Sequence, residues 1–144
     1  MKPIAELLSD PTRLWRRSPP ASDVEISWFL NQTRFSWPEE LIDLLRFSNG
    51  GEGELALPPE WFALNGVREI INCEKDEFLR TSYENYQFFG GNGGLESIGF
   101  DLSKDTSPVV MIDLIAGDGS AIEIASDINE FIGAIGLKYN KEDA

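Results

Sequence analysis

Four apolar segments of strand length follow one another along the second half of the chain, and short turns separate them. The segments cover residues 86–90, 95–101, 109–113 and 121–124. A glycine run at 90–94 and Asp118-Gly119 supply the residues that favour hairpin turns. Strands joined in this way favour an antiparallel sheet rather than a parallel one.

Helical patterns flank these strands. Ser22 and Glu25 match a capping box, and a second helix begins at Trp37-Pro38 and ends at Asn49-Gly50-Gly51. Further helices are predicted at 67–80 and 126–136, and a short strand at 54–57. The order of elements predicts the α+β class.

The N-terminal residues lack the regular helix and strand patterns of the rest of the chain. Asp10-Pro11 interrupts a short helical stretch, and three arginines then precede Ser18-Pro19-Pro20. We expect residues 1–21 to be an extension and linker, and 22–144 to be a single domain. Docking of the basic arm on the chain's own acidic body is favoured over binding of a partner.

The chain is strongly acidic, with 12 Lys+Arg against 25 Asp+Glu and a net charge of −13. The excess lies in residues 35–144. Such a field repels nucleic acid and favours basic partners, although it also serves solubility alone. The single cysteine, the lack of a signal-like N-terminus and the lack of a long apolar run predict a cytoplasmic protein without a membrane span.

Residues suited to catalysis are scarce. The sequence contains no histidine, so the commonest general base and metal ligand is missing. Asp101 and Asp113, at the ends of neighbouring strands, are candidates for a carboxylate pair. Asp113, Asp118 and Ser120 do not match a calcium loop, and acids near Cys73 are expected to raise the pKa of its thiol. We therefore expect neither enzyme activity nor a cofactor or metal.

Binding residues concentrate at loops and strand ends. Five residues at such predicted positions are candidates for a protein-contact surface: Glu52, Glu54, Trp61, Asp101 and Asp118. Trp61 lies in a region that reads as a loop, and burial of its side chain is favoured over a role as an interface anchor.

The segment from Trp37-Pro38 to Asn49-Gly50-Gly51 resembles the signature of the SMI1/KNR4 (SUKH) family. Later marks follow in the family's order over residues 22–136: Phe89-Gly90, Gly93-Gly94, Ile98, Phe100-Asp101, Pro108-Val109-Val110 and Ser126 to Phe131. The last one departs from the usual pattern, because Asp127 follows Ser126 and the aromatic residue comes only at Phe131.

The resemblance implies a central, mostly antiparallel sheet with helices packed around it. It also implies a role without catalysis, because bacterial members are thought to be immunity proteins against polymorphic toxins, often nucleases or deaminases. Fungal members act as regulatory scaffolds. The hypothesis is thus an immunity protein with a basic toxin domain as its partner. The alternatives are a scaffold module with several weak protein partners and an enzyme that uses paired carboxylates.

Overall fold

The computed structural model describes residues 2–140, in which seven strands form one sheet and six α-helices pack around it. The helices are α1 (Ile4–Leu8), α2 (Asp23–Gln32), α3 (Glu39–Phe47), α4 (Val67–Lys75), α5 (Glu77–Ser82) and α6 (Ile128–Ala134). The strands are β1 (Trp15–Arg17), β2 (Gly51–Glu54), β3 (Trp61–Leu64), β4 (Tyr86–Gly91), β5 (Glu96–Asp101), β6 (Val109–Asp113) and β7 (Ile122–Ala125).

The strands lie side by side in the order in which they occur along the chain, and every neighbouring pair is antiparallel. This arrangement confirms the predicted α+β class and the antiparallel sheet. The connections β4–β5 and β6–β7 are short, so each strand can return only beside the one before it.

The two faces of the sheet carry separate hydrophobic clusters. The larger one joins the first face to α1, α2, α3, α4 and α6 and contains the fully buried Phe62, Phe89 and Phe131. The smaller one, on the second face, contains Tyr83, Phe88 and Ile112. Adjacent residues of a strand point to opposite faces, so Phe88 and Phe89 belong to different clusters, and a register shift lies between Phe88 and Gly90.

Three predicted boundaries differ from the structure. The strand expected at 54–57 lies at Gly51–Glu54, because the chain turns after Glu54. The Leu55 N–H donates to the Glu60 carbonyl and closes this turn. Trp61–Leu64 is a strand and not a loop. The helix expected at 67–80 divides at Asp76, whose carboxylate accepts the Leu79 N–H and begins α5.

The segment predicted to be an extension and linker is part of the sheet and core. Ile4 and Leu8 are buried in the larger cluster, and β1 pairs with β2. Arg13 Nη1 donates to the Gly133 and Ile135 carbonyls, so the basic arm docks on its own chain through carbonyls rather than carboxylates. The last residues of the predicted domain, 141–144, lie outside the described residues.

None of the helices within residues 2–140 combines the length and the apolar character needed to cross a membrane.

Candidate functional site

Part of the second face of the sheet is left uncovered by the smaller cluster. In the register, Glu54 pairs with Trp61, Glu52 with Ala63, Ala63 with Gly91, and Gly91 with Ser97. Directly paired residues, and residues two apart on one strand, share a face. These six residues are each at least partly exposed, and we call them the Trp61 face.

Trp61 differs from the other tryptophans of the chain. Trp15, Trp28 and Trp37 all pack against the larger hydrophobic cluster. Trp61 is half-buried and belongs to neither cluster, so its indole rests on the open face beside Glu54. The sequence favoured burial of Trp61, whereas the structure leaves it partly exposed on a strand.

The turn before β3 holds Trp61 in this position. Leu55 is fully buried and forms an isolated bridge with Ile135. Glu60 has φ 74 and donates its N–H to the Leu57 carbonyl, which closes the turn. Because both ends of the turn are fixed, Glu54 and Trp61 are presented from a well-anchored hairpin.

The centre of the Trp61 face is flat, because its side chains are small. Ala63, Gly91 and Ser97 lie next to one another across β3, β4 and β5. A Cβ atom on Gly91 would lie 2.6 Å from the Glu96 carbonyl oxygen, so a larger residue does not fit there without movement. A partner can therefore approach the sheet closely along this row, which lies next to Trp61 and Glu52.

The charge around the Trp61 face is mainly negative. Residues 51–64 and 91–97 contain four carboxylates and neither lysine nor arginine: Glu52, Glu54, Glu60 and Glu96. Arg16 lies opposite Glu52 in the register of β1 and β2. The two do not form an ion pair, because the ion pair among residues 2–140 joins Arg46 and Asp23. The carboxylates of this face therefore remain available to a basic partner.

The other two candidate contact residues lie apart from the Trp61 face. Asp101 is 6% exposed, and its Oδ1 accepts the N–H and the hydroxyl of Ser103. Asp118 is exposed in a 3-10 turn between β6 and β7. Burial, followed by the charges of Asp101 and Asp118, raises the pKa of Tyr86. Three of the five predicted residues therefore share the Trp61 face, whereas Asp101 and Asp118 lie apart from it.

The carboxylate pair considered for catalysis does not form. Glu96 pairs with Asp113 and Phe100 pairs with Val109, so Asp101 and Asp113 lie at opposite ends of antiparallel strands. Five residues of strand separate their levels, which corresponds to roughly 17 Å at about 3.4 Å per residue. The approach that the sequence left possible does not occur, because both residues lie at carboxyl ends and those ends point in opposite directions.

The residues weighed against a calcium loop stabilise the β6–β7 connection itself. Asp113 Oδ1 accepts the N–H groups of Ile115 and Ala116, and Ser120 Oγ donates to the Gly117 carbonyl. Within the described part of the chain, no three Cys, Asp or Glu side chains converge as a metal site requires.

Cys73 is a half-buried thiol on α4. Burial raises its pKa, and the carboxylates of Asp76, Glu69 and Glu74 raise it further. The sequence predicted the contribution of the acids, whereas the contribution of burial follows from the packing of α4. A raised pKa disfavours the nucleophilic thiolate.

The Ser48-Asn49-Gly50-Gly51 segment is a structural junction. Asn49 Oδ1 accepts the Val67 N–H at the start of α4. Gly51 has φ 107, and a Cβ atom there would lie 2.7 Å from the Arg16 carbonyl oxygen. The segment therefore joins α3, β1, β2 and α4, which accounts for its residue types without a ligand.

Ala63, Gly91 and Ser97 are the members of the Trp61 face that sequence reasoning missed. Small uncharged residues carry no chemical signal of their own. Ala63 shares β3 with Trp61, and the pairing of β3, β4 and β5 brings Gly91 and Ser97 to the same face.

Comparison with known proteins gives one family. No curated protein matches the chain. The model of the SMI1 / KNR4 family (SUKH-1) matches residues 20–134, which span α2 to α6 and thus all of the sheet except β1. The matched region includes the Trp37-Pro38 and Asn49-Gly50-Gly51 signature. The chain belongs to the SMI1/KNR4 (SUKH-1) family.

Proposed function

We propose that this chain is a non-catalytic immunity protein that binds a toxin domain of the nuclease or deaminase type in the cytoplasm and blocks its site. Membership of the SMI1/KNR4 family is consistent with such a role. The observation that carries the proposal is Trp61, a partly exposed residue outside both hydrophobic clusters on an uncovered acidic face.

Trp61 has the chemistry of an interface anchor. Aromatic residues that a partner buries dominate the energetics of many interfaces. A lysine or arginine of the partner can lie over the indole ring while its charge meets Glu54. The flat row of Ala63, Gly91 and Ser97 lets the partner's backbone approach without displacing side chains.

The acidic field favours a partner of opposite sign. Nuclease and deaminase domains act on polyanions, so their substrate sites carry basic residues that this surface complements. Blocking such a site needs no reactive group on the inhibitor. This agrees with a sequence that lacks histidine and a fold that separates Asp101 from Asp113.

Growth rescue tests the proposal directly. The C-terminal domain of the protein encoded by the neighbouring gene is expressed in a test cell with and without this chain. The two proteins are then purified together. Toxicity relieved by this chain, together with a stable complex, is the expected result. A harmless neighbour, or toxicity that this chain does not relieve, would instead favour a scaffold with several weak partners.

Variants of the Trp61 face then locate the contact. Trp61→Ala should weaken the complex by about tenfold or more. Glu52→Lys with Glu54→Lys should slow association and reverse its salt dependence. The matched control is Glu84→Lys with Asp105→Lys, which makes the same charge change at exposed positions outside the Trp61 face. If the control slows association equally, net charge and not this face is responsible.

A further inference from the structure

A second groove lies away from the Trp61 face, between the loop before α3 and the loop between β5 and β6. It encloses about 330 Å³. Half of its ten lining residues are apolar: Trp37, Pro38, Phe100, Leu102 and Ile128. Gln87, on β4, lies among them.

Gln87 is a buried amide with unused hydrogen-bonding capacity. The residue is only 2% exposed, and its Nε2 donates to the Ser36 carbonyl at 3.0 Å. Its Oε1 accepts no hydrogen bond from the described residues. No side-chain oxygen among those residues is both fully occluded and unpaired, so Oε1 must reach solvent, and the groove that Gln87 lines provides that access.

The wall of the groove is formed independently of any occupant. Asp101, which is buried at the end of β5 next to the lining residues Phe100 and Leu102, accepts two hydrogen bonds from Ser103, and its own N–H donates to the Pro108 carbonyl. Ser107, in the wall itself, has φ 46 and donates its N–H to Lys104. These bonds hold the β5–β6 loop in place, so a ligand meets a preformed groove.

The lining defines what fits. The apolar part of the lining favours an aromatic or aliphatic group, and an occupant that displaces solvent from the Gln87 amide oxygen must supply a donor in its place. The charged residue in the lining, Asp127, already accepts the Glu130 N–H at the start of α6. Gln87 also keeps a second Nε2 hydrogen, so its amide can both donate and accept. A phenol hydroxyl meets both requirements, whereas an indole N–H only donates.

We propose that this groove binds a tyrosine side chain of a partner protein, with its hydroxyl donating to Gln87 Oε1 and its ring lying between Trp37 and Leu102. The site is separate from the Trp61 face, so it stands whether or not the partner is a toxin. It gives buried Asp101 a role as a positioning residue for the groove wall.

The test compares p-cresol, the tyrosine side chain, with toluene, the phenylalanine side chain. Each is titrated into the ¹⁵N-labelled full-length protein, and the Gln87 side-chain amide and Trp37 indole signals are followed. We expect saturable shifts with p-cresol and about 2- to 10-fold weaker binding of toluene, the effect of one neutral hydrogen bond. Equal affinities, or no saturable shift at either signal, would overturn the proposal.

Variants separate the hydrogen bond from the groove. Gln87→Leu should remove the preference for p-cresol while the Trp37 signal still shifts. Leu102→Lys, at a rim position that is 38% exposed, should weaken both probes and needs no change in the core. Ile115→Lys, at a position that is 87% exposed and outside the lining, is the control and should change neither. If Leu102→Lys behaves like this control, the probes bind elsewhere and the proposal is wrong.

Discussion

The hydroxyl of Ser48 is the polar centre of the junction between the N-terminal segment and the family signature. It is completely buried. Its Oγ donates to the Gly50 carbonyl at 2.6 Å and accepts the Ser18 N–H at 3.1 Å and the Trp15 Nε1–H at 3.3 Å. Ser48→Ala therefore leaves two donors and one acceptor without their partner.

The expected loss follows from these contacts. Each neutral hydrogen bond contributes about 0.5–1.5 kcal/mol net, and a buried group left unpaired costs its desolvation. The sum predicts that Ser48→Ala lowers the free energy of unfolding by about 2–4 kcal/mol. For a chain of this length that corresponds to a fall in Tm of about 10 °C.

Urea unfolding followed by tryptophan fluorescence measures this loss, and a double-mutant cycle assigns part of it. Trp15→Phe removes the Nε1 donor but keeps an aromatic ring next to Phe62. The two changes together should cost about 0.5–1.5 kcal/mol less than the sum of the single changes. Ser97→Ala, whose hydroxyl has no hydrogen bond among the described residues, is the control. A loss below about 1 kcal/mol with no coupling would refute the junction as described.

Two further substitutions and one alkylation experiment test other parts of the fold. Asp76→Ala removes the acceptor of the Leu79 N–H and should cost about 1 kcal/mol in urea unfolding, with α5 losing amide-exchange protection first. Gly51→Ala, at φ 107 with the Arg16 carbonyl in the way, should cost about 2 kcal/mol or more; equal stability would contradict the close approach. Cys73 has a raised pKa, so iodoacetamide should alkylate it more slowly in the folded than in the urea-unfolded protein at the same pH.

The raised pKa of Cys73 also makes the stability of the fold depend on pH. A folded-state pKa above the unfolded value stabilises the fold fully below the unfolded pKa of the thiol, and this contribution is lost as the pH rises through the folded one. Cys73→Ser should flatten that alkaline decline. A decline that is unchanged in the variant would assign it to other groups.

The features that sequence reasoning predicted correctly are set by contacts between residues close together along the chain. The capping box of Ser22 and Glu25 forms because its two hydrogen bonds span three residues. The short turns from β4 to β7 allow only antiparallel neighbours, so the order of these strands was also predictable. The family signature is readable for the same reason, because its proline, asparagine and glycines serve local backbone geometry.

The candidate sites depend on pairings that no local pattern encodes. Trp61 lies beside Glu54 and near Gly91 only because β2, β3 and β4 meet in one particular register, and a shift of one residue would turn its side chain to the other face. The Gln87 side chain donates a hydrogen bond to the carbonyl of Ser36, which lies 51 residues away along the chain. The sequence by itself determined the class of fold, the family and the acidic charge, since these follow from composition and local order. Only the tertiary structure decided which residues lie together at the surface, because that depends on strand register and on packing between distant segments.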